Sequence, residues 1–274
     1  MSEPSATTAT GAATATATPV AAPHVPPAPL ASVVIDNVSK VYGRGGDRVP
    51  ALDRVSLTVG AGEFLCIVGA SGCGKSTLLN LIADLDHATA GTVDVRGHAT
   101  LMFQEAALFP WLTVAGNLSL ALKLRGVPRK ERPARVEELL SKVHLDGFGK
   151  KRPHELSGGM RQRVAIARAF SQDADILLMD EPFGALDAMT RDLLHDELER
   201  LWSDRTMTIV FVTHNVREAA RLGDRIVLLS SRPGRVADEF VVDLPRPRRI
   251  DSPEVSGLAA RVTDRLRQEV RKHA

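Results

Sequence analysis

Three stretches of this chain carry residue types suited to holding and cutting a nucleotide's phosphates. Gly69-Ala70-Ser71-Gly72-Cys73-Gly74-Lys75-Ser76, followed by Thr77, fits the pattern G-x-x-x-x-G-K-[ST]. Its glycines let backbone N–H groups crowd around phosphate oxygens, Lys75 can reach the β- and γ-oxygens, and the Ser76 hydroxyl can ligate Mg²⁺. Met179-Asp180-Glu181-Pro182 closes an apolar run with two carboxylates, one suited to a metal shell and the other to orienting or deprotonating a water. Leu156-Ser157-Gly158-Gly159-Met160-Arg161-Gln162-Arg163 lies between them. There Ser157 can cap a helix, and Gly158 and Gly159 leave its first N–H groups open to an anion. An ordinary capped helix would use the same serine. The setting between two phosphate-directed motifs is what favours a second phosphate grip.

Each motif needs an element to aim it. Phe64 to Val68 is a short continuous apolar run and reads as a strand buried on both faces, delivering the chain directly into the Gly69 loop. Leu78, Leu81, Ile82 and Leu85 then form a helical stripe. Ile176 to Met179 predicts a second buried strand, and Thr208 to Val212 a third that ends at Thr213-His214. Among the eight histidines, His214 is the one that ends a core strand; the other seven read as surface or packing residues. Met160, Val164, Ala167 and Phe170 share a helix face. Val33 to Ile35 and Val55 to Val59, joined through a Gly-rich turn at 43–46, suit an antiparallel hairpin. Thr92 to Val95 and Thr100 to Phe103 are further strands, as are Arg225 to Leu229 and Val236 to Val242. Val114 to Leu124 is a helix stopped by Gly126 and Pro128, and Val136, Leu139, Leu140 and Val143 mark another.

The totals narrow the function classes. The chain has 274 residues, with 44% hydrophobic and 25% charged residues. A net charge of +2 gives no reason to expect a nucleic-acid partner. No run approaches the ~18 to 20 apolar residues of a membrane span. Cys66 and Cys73 make neither a disulfide framework nor a zinc spacing, which suits a reducing cytosolic setting. Cys73, in a phosphate loop at a helix start, is expected to favour thiolate and to alkylate faster than Cys66, with bound nucleotide protecting it. Residues 1–32, rich in Ala, Thr and Pro, read as a disordered tail. Pro245 to Arg249 reads as a basic linker before a terminal helix with Val255, Leu258, Val262 and Leu266 on one face.

Together, the Gly69 loop, Leu156 to Arg163 and Asp180-Glu181 resemble the nucleotide-binding subunit of an ABC transporter. The resemblance runs from about Val33 to Leu244. Phe183-Gly184-Ala185-Leu186-Asp187 and Phe109-Pro110-Trp111-Leu112-Thr113 resemble the importer branch for nitrate, aliphatic sulfonates and taurine. The family implies an α/β fold: a P-loop NTPase, RecA-like core with an antiparallel β subdomain and an inserted helical subdomain at about residues 105–170. By the same resemblance ATP is the nucleotide and Mg²⁺ its metal, held by Ser76, Asp180 and Gln104, and Glu181, His214, Gln104 and Lys75 serve hydrolysis. Tyr42, the only tyrosine, becomes the aromatic that stacks on adenine, although a packing role suits it equally. Asp187 lies on a loop that crosses a dimer seam, and Ser157, Gly158 and Gly159 complete the nucleotide site of a second copy. The resemblance also implies membrane permease subunits, an external solute-binding protein, and a peripheral location on the cytoplasmic face of the membrane. Four bulky residues at 108–111 favour core packing over a groove that receives a permease.

One departure and three alternatives complete the reading. Relatives carry a longer segment where this chain has only Arg96-Gly97-His98-Ala99 between strands. A sugar-type importer subunit would add a regulatory domain where residues 245–274 stand. A DNA-repair ATPase of the superfamily would carry a long coiled-coil insertion, and a translation factor two such domains; this chain shows neither.

Overall fold

The computed structural model describes residues 31–43, 47–184, 186–203 and 207–272. The expected tail at 1–30 and the glycines at 45–46 lie outside the described residues. Ala31–Tyr42 (β1) and Val49–Gly60 (β2) pair antiparallel, with Val55, Leu57 and Val59 buried and their neighbours Ser56 and Thr58 exposed. That period of two is what a half-covered sheet requires. Strand β1 thus takes in two residues that the sequence assigned to the tail, and the buried Ser32 hydroxyl bonds Thr208 at 3.0 Å. Phe64–Gly69 (β3) is buried throughout. It leads into Lys75–Ile82 (α1), and Ala90–Val95 (β4) then joins the free side of β1, giving a three-stranded sheet ordered β2-β1-β4.

The second sheet positions the chemistry. Ala99–Met102 (β5) leaves β4 through a turn in which the His98 N–H bonds Asp175 at 2.8 Å, and it adds to the sheet beside Ile176–Asp180. The short link at 96–98 therefore spans two sheets and does not close a hairpin. Val114–Leu124 (α2), Arg132–Lys142 (α3) and Gly158–Phe170 (α4) follow, and the Thr113 side chain caps α2 by accepting the Gly116 N–H at 3.0 Å. Ile176–Asp180 (β6), Ala188–Ser203 (α5), Thr208–Val212 (β7), Val216–Leu222 (α6), Arg225–Leu229 (β8), Val236–Val241 (β9) and Pro253–Lys272 (α7) complete the chain. Strand order is β5-β6-β7-β3-β8-β9, all parallel except β9. β3 sends Phe64, Cys66 and Val68 to the core under the helices, and Leu65 and Ile67 to the core under the antiparallel sheet. Phosphate loop, acidic pair and His214 all leave the carboxyl edge of this sheet, where ligands of open α/β folds bind.

Three expectations about packing are corrected. Helix α1 stops at Ile82, Asp84 takes a left-handed φ of 55°, and Leu85 is 60% exposed rather than part of the stripe. Past that turn Asp86 is drawn to Lys40 and Tyr42, which turns Leu85 outward. The 108–111 run is not core: Leu108 packs inward, but Phe109 is 38% and Trp111 68% exposed, their rings 5.5 Å apart. The segment 245–249 is a strap and not a linker. Arg246 bonds Glu199 and Asp224, each at 2.8 Å, and lies over the Trp202 ring. Arg248 is buried and donates to the carbonyls of Arg221, Gly223, Val242 and Leu244. These bonds fasten the start of the terminal segment before α7 packs on α6.

Candidate nucleotide site

The Gly69 loop is braced from outside by β2. Gly74 has φ 103°, and a Cβ there would stand 2.7 Å from the Ala51 carbonyl oxygen, so only glycine brings loop and strand this close. Gly234 closes the brace by donating to the same Ala51 carbonyl at 2.9 Å and accepting from Asp53 at 3.0 Å. Within the loop, Lys75 is 6% exposed and its Nζ donates to the Gly69 and Ala70 carbonyls at 2.9 and 3.0 Å. Ser71, Gly72 and Ser76 are exposed and Thr77 is half-buried. The ammonium group is thus held at the mouth of β3, where it can exchange carbonyl oxygens for phosphate oxygens.

Cys73 departs from its expected chemistry. It is 1% exposed, with its Sγ tucked under Gly69. Burial pushes its thiol above the ordinary range, and the nearby Lys75 offsets this only in part. Cys66 is also fully buried, and burial raises its thiol well above the usual value. Both cysteines are expected to resist alkylation in the folded protein and to react together on unfolding, with MgATP adding little protection. A maleimide time course with and without urea, read by peptide mapping, checks this; rapid native labelling of Cys73 would contradict it.

Strand β6 ends in the carboxylates. Burial raises the Asp180 pKa and the adjacent Glu181 raises it further, while the neighbouring Ser76 hydroxyl offsets this in part. Glu181 adopts a left-handed φ of 46°, uncommon for a residue with a side chain, and its N–H bonds the Val212 carbonyl at 2.9 Å. This turn aims the carboxylate at His214, whose Nδ1 lies 2.9 Å from Glu181 Oε2. Phe183 anchors the turn: it is 1% exposed, with ring centroids 5.6 Å from Phe211 and 4.7 Å from His195. Burying such a ring contributes ~1.5–3 kcal/mol, enough to hold the strained turn in place.

The remaining candidates fall in three places. Gln104, Gly158, Glu181 and His214 line one cleft between α4 and the sheet edge, and Gln104 is exposed there. Ser157 accepts the Met160 N–H at 3.2 Å and starts α4, leaving itself and Gly158 exposed and Gly159 half-buried. Asp187 accepts the Thr190 N–H at 3.0 Å, and that backbone bond holds its carboxyl below the usual range. Tyr42 is 40% exposed at the edge of the antiparallel sheet, and its hydroxyl donates to Asp86 at 2.9 Å. Ala185 lies outside the described residues.

A layer behind the site went unread in the sequence. His195 is fully buried, and burial, Arg221 and Arg191 push its pKa down to about 3. Since a guanidinium only donates, the Arg221 contact at 3.2 Å makes His195 Nδ1 an acceptor and leaves the proton on Nε2. Glu218, 5% exposed, accepts the Thr213 hydroxyl at 2.7 Å. An acid in the first turn of a helix reads as a dipole partner; nothing in the spacing of 191, 195, 218 and 221 shows that they converge.

Comparison with known proteins points to one family. The ABC transporter family model matches residues 52–184. An uncharacterized ABC transporter ATP-binding protein of Methanocaldococcus jannaschii is 44% identical over 246 residues, covering 87% of this chain and 92% of that protein. The aliphatic sulfonates import ATP-binding protein of Bacillus licheniformis is 45% identical, covering 78% and 86%. The taurine import ATP-binding protein of Rhizobium johnstonii is 46% identical, covering 77% and 84%. A dimeric ATP-binding cassette solved in a post-hydrolysis state with ADP and phosphate superposes with a TM-score of 0.71 at 35% identity, covering 78% of this chain and all of that one. With a P-loop at β3, an acidic pair at β6 and a Ser-Gly-Gly helix start in one fold, the chain belongs to the ABC transporter ATP-binding family, in its importer branch, and its reaction is ATP hydrolysis.

Proposed function

We propose that this ATPase powers uptake of nitrate, an aliphatic sulfonate, taurine or a similar small solute. It works as one of two copies docked on membrane permease subunits at the cytoplasmic face, with an external solute-binding protein delivering the solute. The observation that carries this reading is the exposed Phe109 and Trp111 pair. It leads into α2, and the neighbouring Leu108 lines the cleft that holds Glu181 and His214. Apolar rings left in water beside a catalytic cleft suit a partner helix whose position reports on the site. Among the described residues no helix is long and apolar enough to cross a membrane, which suits a pore supplied by other chains.

Each site is read as composite: Lys75, Ser76, Asp180, Glu181, Gln104 and His214 of one copy, with Ser157 and Gly159 of the other across the seam and Tyr42 against adenine. The Ser76 hydroxyl neighbours the Asp180 carboxylate, and the two are hard oxygen donors suited to Mg²⁺. Bound there, the metal would offset charge on the β- and γ-phosphates. Catalysis otherwise rests on positioning: Lys75 on the phosphates, Glu181 on the attacking water and His214 fixing Glu181.

Trp111→Ala is expected to leave ATP binding by the free subunit unchanged and to lower co-purification with the permease, or to uncouple hydrolysis from uptake in reconstituted vesicles. Unchanged assembly and uptake would remove the docking role.

A further inference from the structure

The two oxygens of the buried Glu218 carboxylate face different parts of the site. Oε2 accepts the Thr213 hydroxyl at 2.7 Å, and that same hydroxyl oxygen accepts the Asn215 N–H at 3.0 Å. His214 sits between those two residues, so these bonds set the turn that presents its ring to Glu181. Oε1 faces the other way, 3.5 Å from Arg191 Nε and 3.9 Å from His195 Nε2. Both nitrogens are buried without a hydrogen-bond partner. Unpaired buried donors are rare and costly, and here the two lie 3.5 and 3.9 Å from one oxygen that a small shift would bring into range.

Arg191 holds the turn at the expected dimer seam. Its guanidinium donates to the Leu186 carbonyl at 2.8 Å and its backbone N–H to Asp187 at 2.9 Å. Leu186 in turn lies close against the start of α4, where a Cβ on Gly159 would stand 3.2 Å from Leu186 Cδ2. One continuous path therefore runs from Gly159 through Leu186, Arg191, Glu218 and Thr213 to His214. Its members come from α4, the turn before α5, α5 itself, α6 and the end of β7.

We propose that Glu218 is a positioning residue that couples the Leu186–Asp187 turn to His214. Closure against a second copy, by moving that turn, shifts Arg191 relative to Oε1; the carboxylate follows, and through Thr213 it resets the His214–Glu181 contact. The inference rests on the reading of His214 as the residue that fixes Glu181 at the reacting phosphate. It adds that His214 is set by the seam and not only by its own strand.

The test is steady-state ATP hydrolysis by the full chain carrying Thr213→Val, Arg191→Met, both together, or Glu218→Gln, with His214→Ala as reference. Each of the first two is expected to lower kcat about tenfold with KM for ATP changed less than about twofold. Together they should cost no more than either alone, because one route is broken twice. Glu218→Gln should reproduce the loss, and adding Arg191→Met to it should change nothing further. Melting temperatures and ATP binding confirm that each variant is folded; Arg191→Lys, which keeps the charge but not the fork, replaces any Arg191→Met that does not fold. Losses that multiply to about a hundredfold, or full kcat in Glu218→Gln beside an inactive His214→Ala, would overturn the coupling while leaving the site intact. Full activity in His214→Ala would overturn the assignment of His214 itself, and the coupling with it.

Discussion

Glu181→Gln is expected to bind ATP as the parent does and to hydrolyse it ~10² to 10⁴ times more slowly, the usual worth of a general base. The change is confined to chemistry. Gln keeps the length of Glu, can keep the contact with His214 and leaves the turn held by Phe183 and by the bond from residue 181 to Val212. It cannot accept a proton. Because ATP then persists between two phosphate-binding shells, the variant should accumulate as an ATP-bound dimer stabilised by mass action. Phosphate release, retained nucleotide and light scattering on one preparation measure all three consequences. Near-normal turnover would remove Glu181 from the catalytic role, and a loss of binding together with turnover would show a disturbed turn.

Arg248→Met should cost on the order of 3 kcal/mol of folding stability, the largest effect expected away from the nucleotide. Arg248 is 6% exposed and its guanidinium donates to four carbonyl oxygens, those of Arg221, Gly223, Val242 and Leu244. Met fills much of the same space but supplies no donor, and each buried acceptor left unpaired costs ~1–3 kcal/mol. Not every acceptor will be orphaned, which sets the total near the lower end of the sum. Lysine should recover only part of the loss, since one ammonium cannot reproduce a planar fork. Arg249→Met, one position on, touches only the exposed pair with Asp251 and should leave stability unaltered. Urea unfolding compares the three, with ATP hydrolysis of the folded fraction as control. If Arg248→Met matched Arg249→Met, the segment would be a linker after all.

What the sequence by itself determined is local and periodic. Buried runs at 64–68, 176–179 and 208–212 each became a strand of the inner sheet, because an apolar run of that length needs cover on both faces. Helix α2 ends where Gly126 and Pro128 placed its stop, since chain breaking is decided by nearest neighbours. The phosphate loop, the acidic pair and the Ser-Gly-Gly start were legible for the same reason: each concentrates its chemistry within a few consecutive residues.

Only the tertiary structure decided the properties that depend on what arrives from elsewhere in the chain. Cys73 sits buried under Gly69 rather than open to reagents, and burial outweighs the neighbouring lysine in raising its pKa. Trp111 is exposed because Leu108 alone of its run turns inward. Arg248 reads as one more cation in a basic stretch until the carbonyls that end α6 and β9 converge on it. Glu218, Arg191 and His195 are ordinary charged helix residues in sequence, spread over 28 positions by their numbers. They become one layer behind His214, with Glu218 and His195 buried and Arg191 half-buried, because α5 and α6 cover one face of the same sheet edge, and a carboxylate removed from water must be met by whatever donors the fold brings to it.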